Sequence, residues 1–582
     1  MYKKIIFEIF IFSLFLEADS IKLIKNTPDI LKSDIKKTIK KSKPFFFSKT
    51  LMNKYYKNFD YKLFWFDENI PKSITSKLIE TIKKDEVLKP ILDKKIFDLK
   101  DIEIKLSELN ENSPVSEIID LDIKLTNIYH QYISYLSNGV IDWGSFENEL
   151  LYLKEQEDLD LNWQKYKKYI NFRKLLYKVV ENNSLSIIEE KIENPFYNTS
   201  LLKQKIEEYK TILSTGGFVK VSKSNISLKK GNSYEEIKDI RRRLIQSKDL
   251  DDFACSFDES YCDMNFDKEL FEAVKSFQKR YGLEIDGIIG NNTIKALNIP
   301  VEKKIEKIRV NLERIRLLPS NFGEKFIYVN IPDYRLKLFN KNNLEFETAV
   351  IVGKKENPTP IFSHRMSEII VNPYWRIPQN IVKKELISKL IENPNYLKEK
   401  NIKVFENWDI NSIEYDVSFV DWSMYLDNNI IGNDKEAPMR FIQFPDNKNP
   451  LGKMKFMFPN KYSVYLHDTP YKRYFNRTKR AYSHGCIRVN NPKQLLLDIL
   501  KDEKIYDGMD YTQLLNLKVE VDLDLEQKVP VHIVYLTTWI DENKKINFRD
   551  DIYDLDKIQA DVLYNPNYEK KELETKTLSA LN

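Results

Sequence analysis

Residues 461–490, KYSVYLHDTPYKRYFNRTKRAYSHGCIRVN, hold two of the five histidines and one of the three cysteines of the chain. His467 precedes Cys486 by nineteen residues, and Gly485 stands immediately before the cysteine. A free thiol near pKa ~8.5 is only a few per cent ionised at neutral pH, so a nucleophilic sulfur needs a base or a positive charge beside it. His467 is the candidate base. Reaching a mostly ionised thiol takes roughly 2.7 kcal/mol, which a paired imidazolium can supply. Gly485 leaves room for a substrate carbonyl against the backbone, and the N–H groups around it, with that of Tyr465, can collect a developing oxyanion. Arg488 adds a fixed positive charge two residues beyond the sulfur, suited to a carboxylate. A substrate rich in carboxylates is therefore expected.

The elements that position these groups are legible from period and punctuation. Across 463–467, apolar Val464 and Leu466 alternate with Tyr465 and His467, the pattern of a half-buried strand, so Tyr465 and His467 share the face opposite the core. After the cysteine, Asn491-Pro492 signals a helix start, with Leu495, Leu496, Ile499 and Leu500 on its apolar side, placed to brace the Cys486 loop. From the residues alone other readings stay open. The cysteine and histidine can be a structural pair. His467, His484 and Cys486 can be three zinc ligands with one open position. Arg488 can be a solvated strand residue or a rim ion pair, and Tyr465 a packing residue.

With 582 residues the chain has room for three or four domains. Its net charge of +5 is small for this size, which argues for neither nucleic acid nor a strong attraction to membrane surfaces. No phosphate-cradling glycine loop, EF-hand loop or basic nucleic-acid motif is visible. The first twenty residues, MYKKIIFEIFIFSLFLEADS, carry two lysines, a largely apolar run and a small-residue cut site, as a secretory signal peptide does; an uncleaved membrane tether is the alternative. Cys255 and Cys262, seven apart, can form a local disulfide in an oxidising compartment or stay free.

Residues 21–225 are rich in Lys, Glu, Leu, Ile and Tyr with few glycines, which predicts helices; Leu125, Ile128, Tyr132 and Leu136 keep helical spacing. Residues 226–300 predict a small helical unit, with Asp267 capping a helix whose apolar face is Leu270, Phe271, Val274 and Phe277, and a turn at Asp286-Gly287. An amphipathic linker helix is expected at 301–322. From Phe326 the period changes to that of strands: FIYVNIPDYRLKLFN reads as a hairpin turning at Pro332-Asp333, and a β-sandwich-like packing is expected. Residues 373–440 interrupt the sheet with a mostly helical insertion, a candidate lid, in which Trp375 and Trp422 can meet substrate or anchor a core. His130, His364 and His532 fit packing or surface positions.

The string SHGCIRV at 483–489, preceded by His467, resembles the active-site motif of the L,D-transpeptidase (YkuD) family. YLHDTP at 465–470, FNR at 475–477 and LGKMKFMFPN at 451–460 resemble the large periplasmic branch of that family; Asp446 stands where the branch pattern has glycine. AVKSFQKRYGLEIDGIIGNNTIKALN at 273–298 resembles a three-helix peptidoglycan-binding module. The resemblance implies a multidomain α+β chain: a helical scaffold at 21–225, the module at 226–300, a catalytic domain at 323–520 and a C-terminal extension at 521–582 packing on the scaffold. It implies Cys486 as nucleophile and His467 as proton carrier, with Gly485 and Tyr465 in the oxyanion region. Arg488, His484, Ser483, Asn476 and Arg477 would bind substrate. The implied reaction is acyl transfer from a peptidoglycan tetrapeptide stem through a cysteinyl thioester, giving a 3→3 cross-link; trimming by water or a non-catalytic wall-binding role are the alternatives. No cofactor or metal is expected. The expected partners are stem peptides and glycan strands, and the expected place is the periplasm or cell envelope.

Overall fold

The structure, a computed structural model, describes residues 27–564 except 44, 95–96, 111, 158, 167, 223–226, 252–254, 256–261, 426–438 and 505–509. The export segment expected at 1–20 lies outside the described residues, as does the end of the C-terminal extension, 565–582. Among the described residues no helix is long and apolar enough to cross a membrane.

The N-terminal region is helical, as its composition predicts. Its longest helix, α1 (Val115–Asn138), buries Leu125, Ile128, Tyr132 and Leu136 at the expected spacing. It also buries Asp122, whose carboxylate accepts the backbone N–H groups of Phe64 and Trp65 and the hydroxyl of Tyr56, so the buried charge is fully engaged. The next unit is three helices, α2 (Glu236–Gln246), α3 (Lys268–Arg280) and α4 (Asn291–Leu297). Asp267 caps α3 by accepting the Leu270 N–H at 2.8 Å, and Leu270, Val274 and Phe277 form its buried face. Cys255 and Cys262 are joined as a disulfide, which leaves Cys486 as the free thiol.

Helix α5 (Val301–Arg316) is more deeply buried than an amphipathic linker would be: Asn311, Glu313 and Arg314 are inaccessible along with its apolar residues. Each polar group has a partner from a different part of the chain. Glu313 accepts the N–H groups of Val140 and Ile141 just after α1 of the scaffold, and Arg316 pairs with Asp85 at 2.5 Å. Arg314 pairs with Asp556 at 2.6 Å and Asn311 bonds Thr537, both in the C-terminal extension. The ammonium of Lys304 donates to the Tyr281 hydroxyl of the three-helix unit.

The β-rich part is one nine-stranded sheet: β1 (Lys325–Asn330), β2 (Arg335–Asn340), β3 (Asn343–Gly353), β4 (Phe362–Val371), β5 (Met454–Met457), β6 (Leu466–His467), β7 (Ala481–Ser483), β8 (Ile487–Val489) and β9 (Val521–Val534). The order across the sheet is β7-β3-β8-β6-β5-β4-β9-β1-β2, and β2 also pairs with β3, so the sheet curls round and closes on itself. The hairpin at Pro332-Asp333 forms as read, with Leu336 and Leu338 turned inward. Strand β9, from the C-terminal extension, lies between β4 and β1 and pairs with both; the sheet is incomplete without it. Helix α6 (Pro492–Leu500) buries Leu495, Leu496, Ile499 and Leu500 in the same core, and α7 (Leu555–Tyr564) follows β9. Ile141, Phe146, Leu150 and Trp163 of the N-terminal region also join this core, and Trp163 bridges to Ile361.

The insertion between β4 and β5 carries its own core of Ile377, Leu386, Leu390, Trp422 and Phe441. Besides the expected helices it holds a three-stranded sheet, with Arg440–Gln443 between Trp375–Arg376 and Ile402–Phe405. Asp446 makes its turn without glycine, its side chain accepting the Lys448 N–H at 2.7 Å.

Replacing Glu313 with alanine leaves the buried Ile141 N–H and the half-buried Val140 N–H unpaired and is expected to cost about 3 kcal/mol, read as a lower denaturant midpoint. Glu306→Ala on the same helix, where the carboxylate meets only Lys303 near the surface, is expected to cost under about 0.5 kcal/mol.

Candidate active site

Three short strands build the site. Met454 and Phe456 of β5, Leu466 of β6, and Ile487 and Val489 of β8 point into the core. By alternation, Lys455, Tyr465, His467, Cys486 and Arg488 stand on the other face. Register fixes their order: Lys455 lies opposite His467, Leu466 is paired in parallel with Ile487, and His467 with Arg488. The Ile487 N–H donates to the Tyr465 carbonyl at 3.1 Å, which sets Cys486 beside Tyr465. The face expected for Tyr465 and His467 is the one observed.

His467 is buried, and its Nδ1 lies 2.5 Å from the Asp468 carbonyl. A carbonyl only accepts, so Nδ1 carries the proton and Nε2 keeps a free lone pair. Burial, and then the Arg488 guanidinium, lower the imidazole pKa to about 3. Burial pushes the Cys486 thiol above its ordinary value, while the Tyr465 hydrogen bonds and the nearby Lys455 and Arg488 charges pull it back. The sulfur is half-buried and directed at the Ser463 carbonyl, 3.9 Å away. Burial thus disfavours the charged form of both groups, against the imidazolium–thiolate pair expected from residue types. Desolvation of both groups is the reason.

Lys455 was not singled out by its residue type, although MKFM places one charged side chain between inward methionine and phenylalanine. Its ammonium sits 4.2 Å over the Tyr465 ring, itself edge-on to His467 at 5.7 Å. Burial lowers its pKa, and the Cys486 sulfur is among the groups that raise it.

The loop carrying the cysteine is pinned from beneath. Gly485 has φ +109°, a backbone region that other residues enter at a cost. Its carbonyl accepts the Thr359 hydroxyl at 2.7 Å, and Thr359 accepts the Gly353 N–H at 2.8 Å. Tyr553 of the C-terminal extension donates to the Gly353 carbonyl and receives the Thr359 N–H. Ser483, expected to touch substrate, is buried and donates instead to the Cys486 carbonyl at 2.5 Å while accepting the Gly485 N–H. In the turn before β5, Gly452, φ +60°, permits the close approach of Asp468, whose carboxylate accepts the Lys453 N–H and pairs with Lys472 at 2.7 Å.

The remaining candidates divide. His484 is turned to the insertion, its Nε2 2.6 Å from Glu385, and the zinc set of His467, His484 and Cys486 is not assembled: among the described residues no group of three His, Cys, Asp or Glu side chains gathers as metal ligands do. Asn476 and Arg477 are exposed, and Arg477 rests on the rings of Tyr474 and Tyr482. Trp422 is buried in the insertion's core, and Trp375 is half-buried at its edge. Trp375, His484 and Arg488 line a pocket of about 190 Å³ between the insertion and the catalytic strands. A larger cleft, about 1460 Å³, opens between the three-helix unit, α5 and the β2 side of the sheet, and is lined by none of the Cys486-face residues. His532 is a packing residue, bonded to Ser363 and the Phe322 carbonyl.

These electrostatics fix a pH signature. Alkylation of Cys486 by iodoacetamide is expected to rise from pH 7 to beyond 9 without a plateau, and Lys455→Met is expected to slow it a few-fold at pH 8 by raising the thiol further. A plateau set near pH 6 would require the ion pair that burial disfavours.

Comparison with known proteins agrees with this architecture. Residues 324–506 match the family model described as "L,D-transpeptidase catalytic domain", 233–297 the "Putative peptidoglycan binding domain" and 50–199 the "Scaffold domain". A "Putative L,D-transpeptidase" of Haemophilus influenzae is 31% identical over 283 residues, 47% of this chain and 55% of that protein. The N-acetylmuramoyl-L-alanine amidase CwlL of Bacillus licheniformis is 29% identical over 150 residues, 26% of this chain and 34% of that one. The match thus spans about half of the first relative and a third of the second. A solved L,D-transpeptidase from Stackebrandtia nassauensis aligns over 53% of this chain and 94% of its own at 14% identity, with a TM-score of 0.21. Over residues 324–506 the chain thus matches the YkuD-type L,D-transpeptidase catalytic domain, preceded by matches to the scaffold and peptidoglycan-binding domains.

Proposed function

We propose that the chain is a cysteine L,D-transpeptidase of the cell envelope that forms 3→3 cross-links between peptidoglycan stems. The observation that carries this reading is the single sheet face shared by Cys486, His467 and Arg488, with the imidazole lone pair left free at Nε2.

The donor is a tetrapeptide stem. Cys486 attacks the carbonyl between the L-centre of diaminopimelate and the terminal D-alanine. Because burial disfavours charge on thiol and imidazole alike, the thiol proton passes to His467 Nε2 as the C–S bond forms. The oxyanion develops over the Gly485 turn and the Tyr465 backbone, a position pre-set by the Thr359 bond to the Gly485 carbonyl. Lys455 and Arg488 hold positive charge against the sulfur side of this face. Collapse expels D-alanine, whose amine takes the proton back from His467. The side-chain amine of a neighbouring stem then attacks the thioester, gives its proton to His467 and restores the thiol. The atoms balance with side chains and substrates alone. The three-helix unit is read as holding glycan strands or stem peptides, and the segment at 1–20 as the export signal or tether.

Incubation with tetrapeptide muropeptides, followed by mass spectrometry, tests this. Cross-linked dimers with loss of one D-alanine per link are expected, and Cys486→Ala is expected to abolish them. Tripeptide monomers alone would mean that water resolves the thioester, and unchanged turnover in Cys486→Ala would remove the nucleophile assigned here.

A further inference from the structure

Two residues that line the pocket under the insertion each carry a buried hydrogen-bond donor with no partner among the described residues. Gln443, on the middle strand of the insertion's sheet, is 2% exposed, and its Nε2 has no partner. The Nε of Arg488, on the catalytic strand β8, is buried and unpartnered as well. Both residues line the same space of about 190 Å³. Leaving such a donor unmet costs roughly 1–3 kcal/mol, so two residues with unmet donors beside one cavity mark a place for an acceptor that a small side-chain turn would reach.

The surrounding charge says which acceptor. Lys389, Lys400 and Lys448 line the pocket with Arg488, and the acid among them, Glu385, is already engaged by His484 at 2.6 Å and Lys389 at 3.5 Å. An ionised carboxylate offers acceptor sites to both donors at once and is favoured over a neutral amide by that charge. At roughly 30 Å³ per water, the pocket has room for a small amino-acid-sized group.

We propose that this pocket binds a carboxylate of the donor stem peptide, held by Arg488 from the catalytic strand and by Gln443 from the insertion. The insertion is then a recognition element as well as a cover. The assignment rests on the cell-wall donor proposed for Cys486. Gln443 acts by binding and takes no part in proton transfer.

The test is calorimetric binding to the full chain carrying Cys486→Ala, which separates recognition from turnover. The ligands are the N-acetylated tetrapeptide L-Ala–D-Glu–diaminopimelate–D-Ala and three variants, each lacking one carboxylate: the terminal carboxamide, the D-isoglutamine peptide, and the peptide with lysine in place of diaminopimelate. One variant is expected to bind about tenfold more weakly than the parent, and it identifies the carboxylate held. Adding Gln443→Leu is expected to weaken the parent by a similar factor and to leave that variant nearly unchanged. Gln443→Glu, close in size to glutamine, is expected to weaken the parent further by opposing two carboxylates. Equal binding of all four peptides, no binding of the parent, or an unchanged parent affinity in a folded Gln443→Leu protein would overturn the assignment. Carboxylate-dependent binding without turnover by the Cys486 chain would count against the transpeptidase reading and leave the pocket standing.

Discussion

Parallel pairing of Leu466 with Ile487 is the constraint on which the site depends. The side-chain period of a strand is two, so this one register decides that Tyr465, His467, Cys486 and Arg488 leave the core together. A slip of one residue along β8 would turn Cys486 and Arg488 into the core beside Val464 and Leu466 and send Ile487 and Val489 outward. The register is held by the core on one side and by fixed turns on the other: Gly485 at φ +109° before β8, and Asp468 seated against Gly452 after β6. The chemistry is thus a by-product of where apolar residues must go, with the reactive groups occupying what is left.

The rest of the chain serves to keep that register rigid. Thr359, which holds Gly485, is itself held by Tyr553, nearly two hundred residues downstream, while Ile361 is clamped by the backbone of Asn162 and Gln164 from the N-terminal region. Strand β9 completes the sheet, and α5 ties scaffold and C-terminal extension together through buried carboxylates and guanidinium groups and holds the three-helix unit through the Lys304 ammonium. Such buried charges add little net stability, but removing one partner is costly, so they specify one arrangement of the parts.

Much of this was legible in sequence because it is encoded locally. The alternation around His467, the hairpin at Pro332-Asp333, the Asp267 cap and the helix opening at Pro492 each depend on neighbours within a few residues. What was not legible depends on distant partners. Helix α5 reads as an amphipathic linker because its pattern cannot show that Asn311, Glu313 and Arg314 meet buried partners. The Thr359 bond to Gly485 joins positions 126 apart, and nothing near either residue announces it. The disulfide between Cys255 and Cys262 is allowed by spacing but not required by it. The electrostatics of the pair were the main difference: residue types suggest an ion pair, whereas the depth of burial, which no local pattern carries, disfavours charge on both groups. Lys455 lies between these cases, since alternation alone would have put it on the active face.

In the mechanism proposed, the sulfur keeps its proton until a carbonyl is seated against it, and proton transfer accompanies attack. Acylation of that sulfur is the step from which every functional statement here descends. The most direct measurement is the mass of the folded, full-length protein after exposure to a carbapenem, an analogue of the acyl donor, with the modified peptide mapped. A single adduct of one inhibitor on the peptide containing Cys486, absent in Cys486→Ala, is the expected result. An unmodified chain, or an adduct carried on another residue, would contradict it.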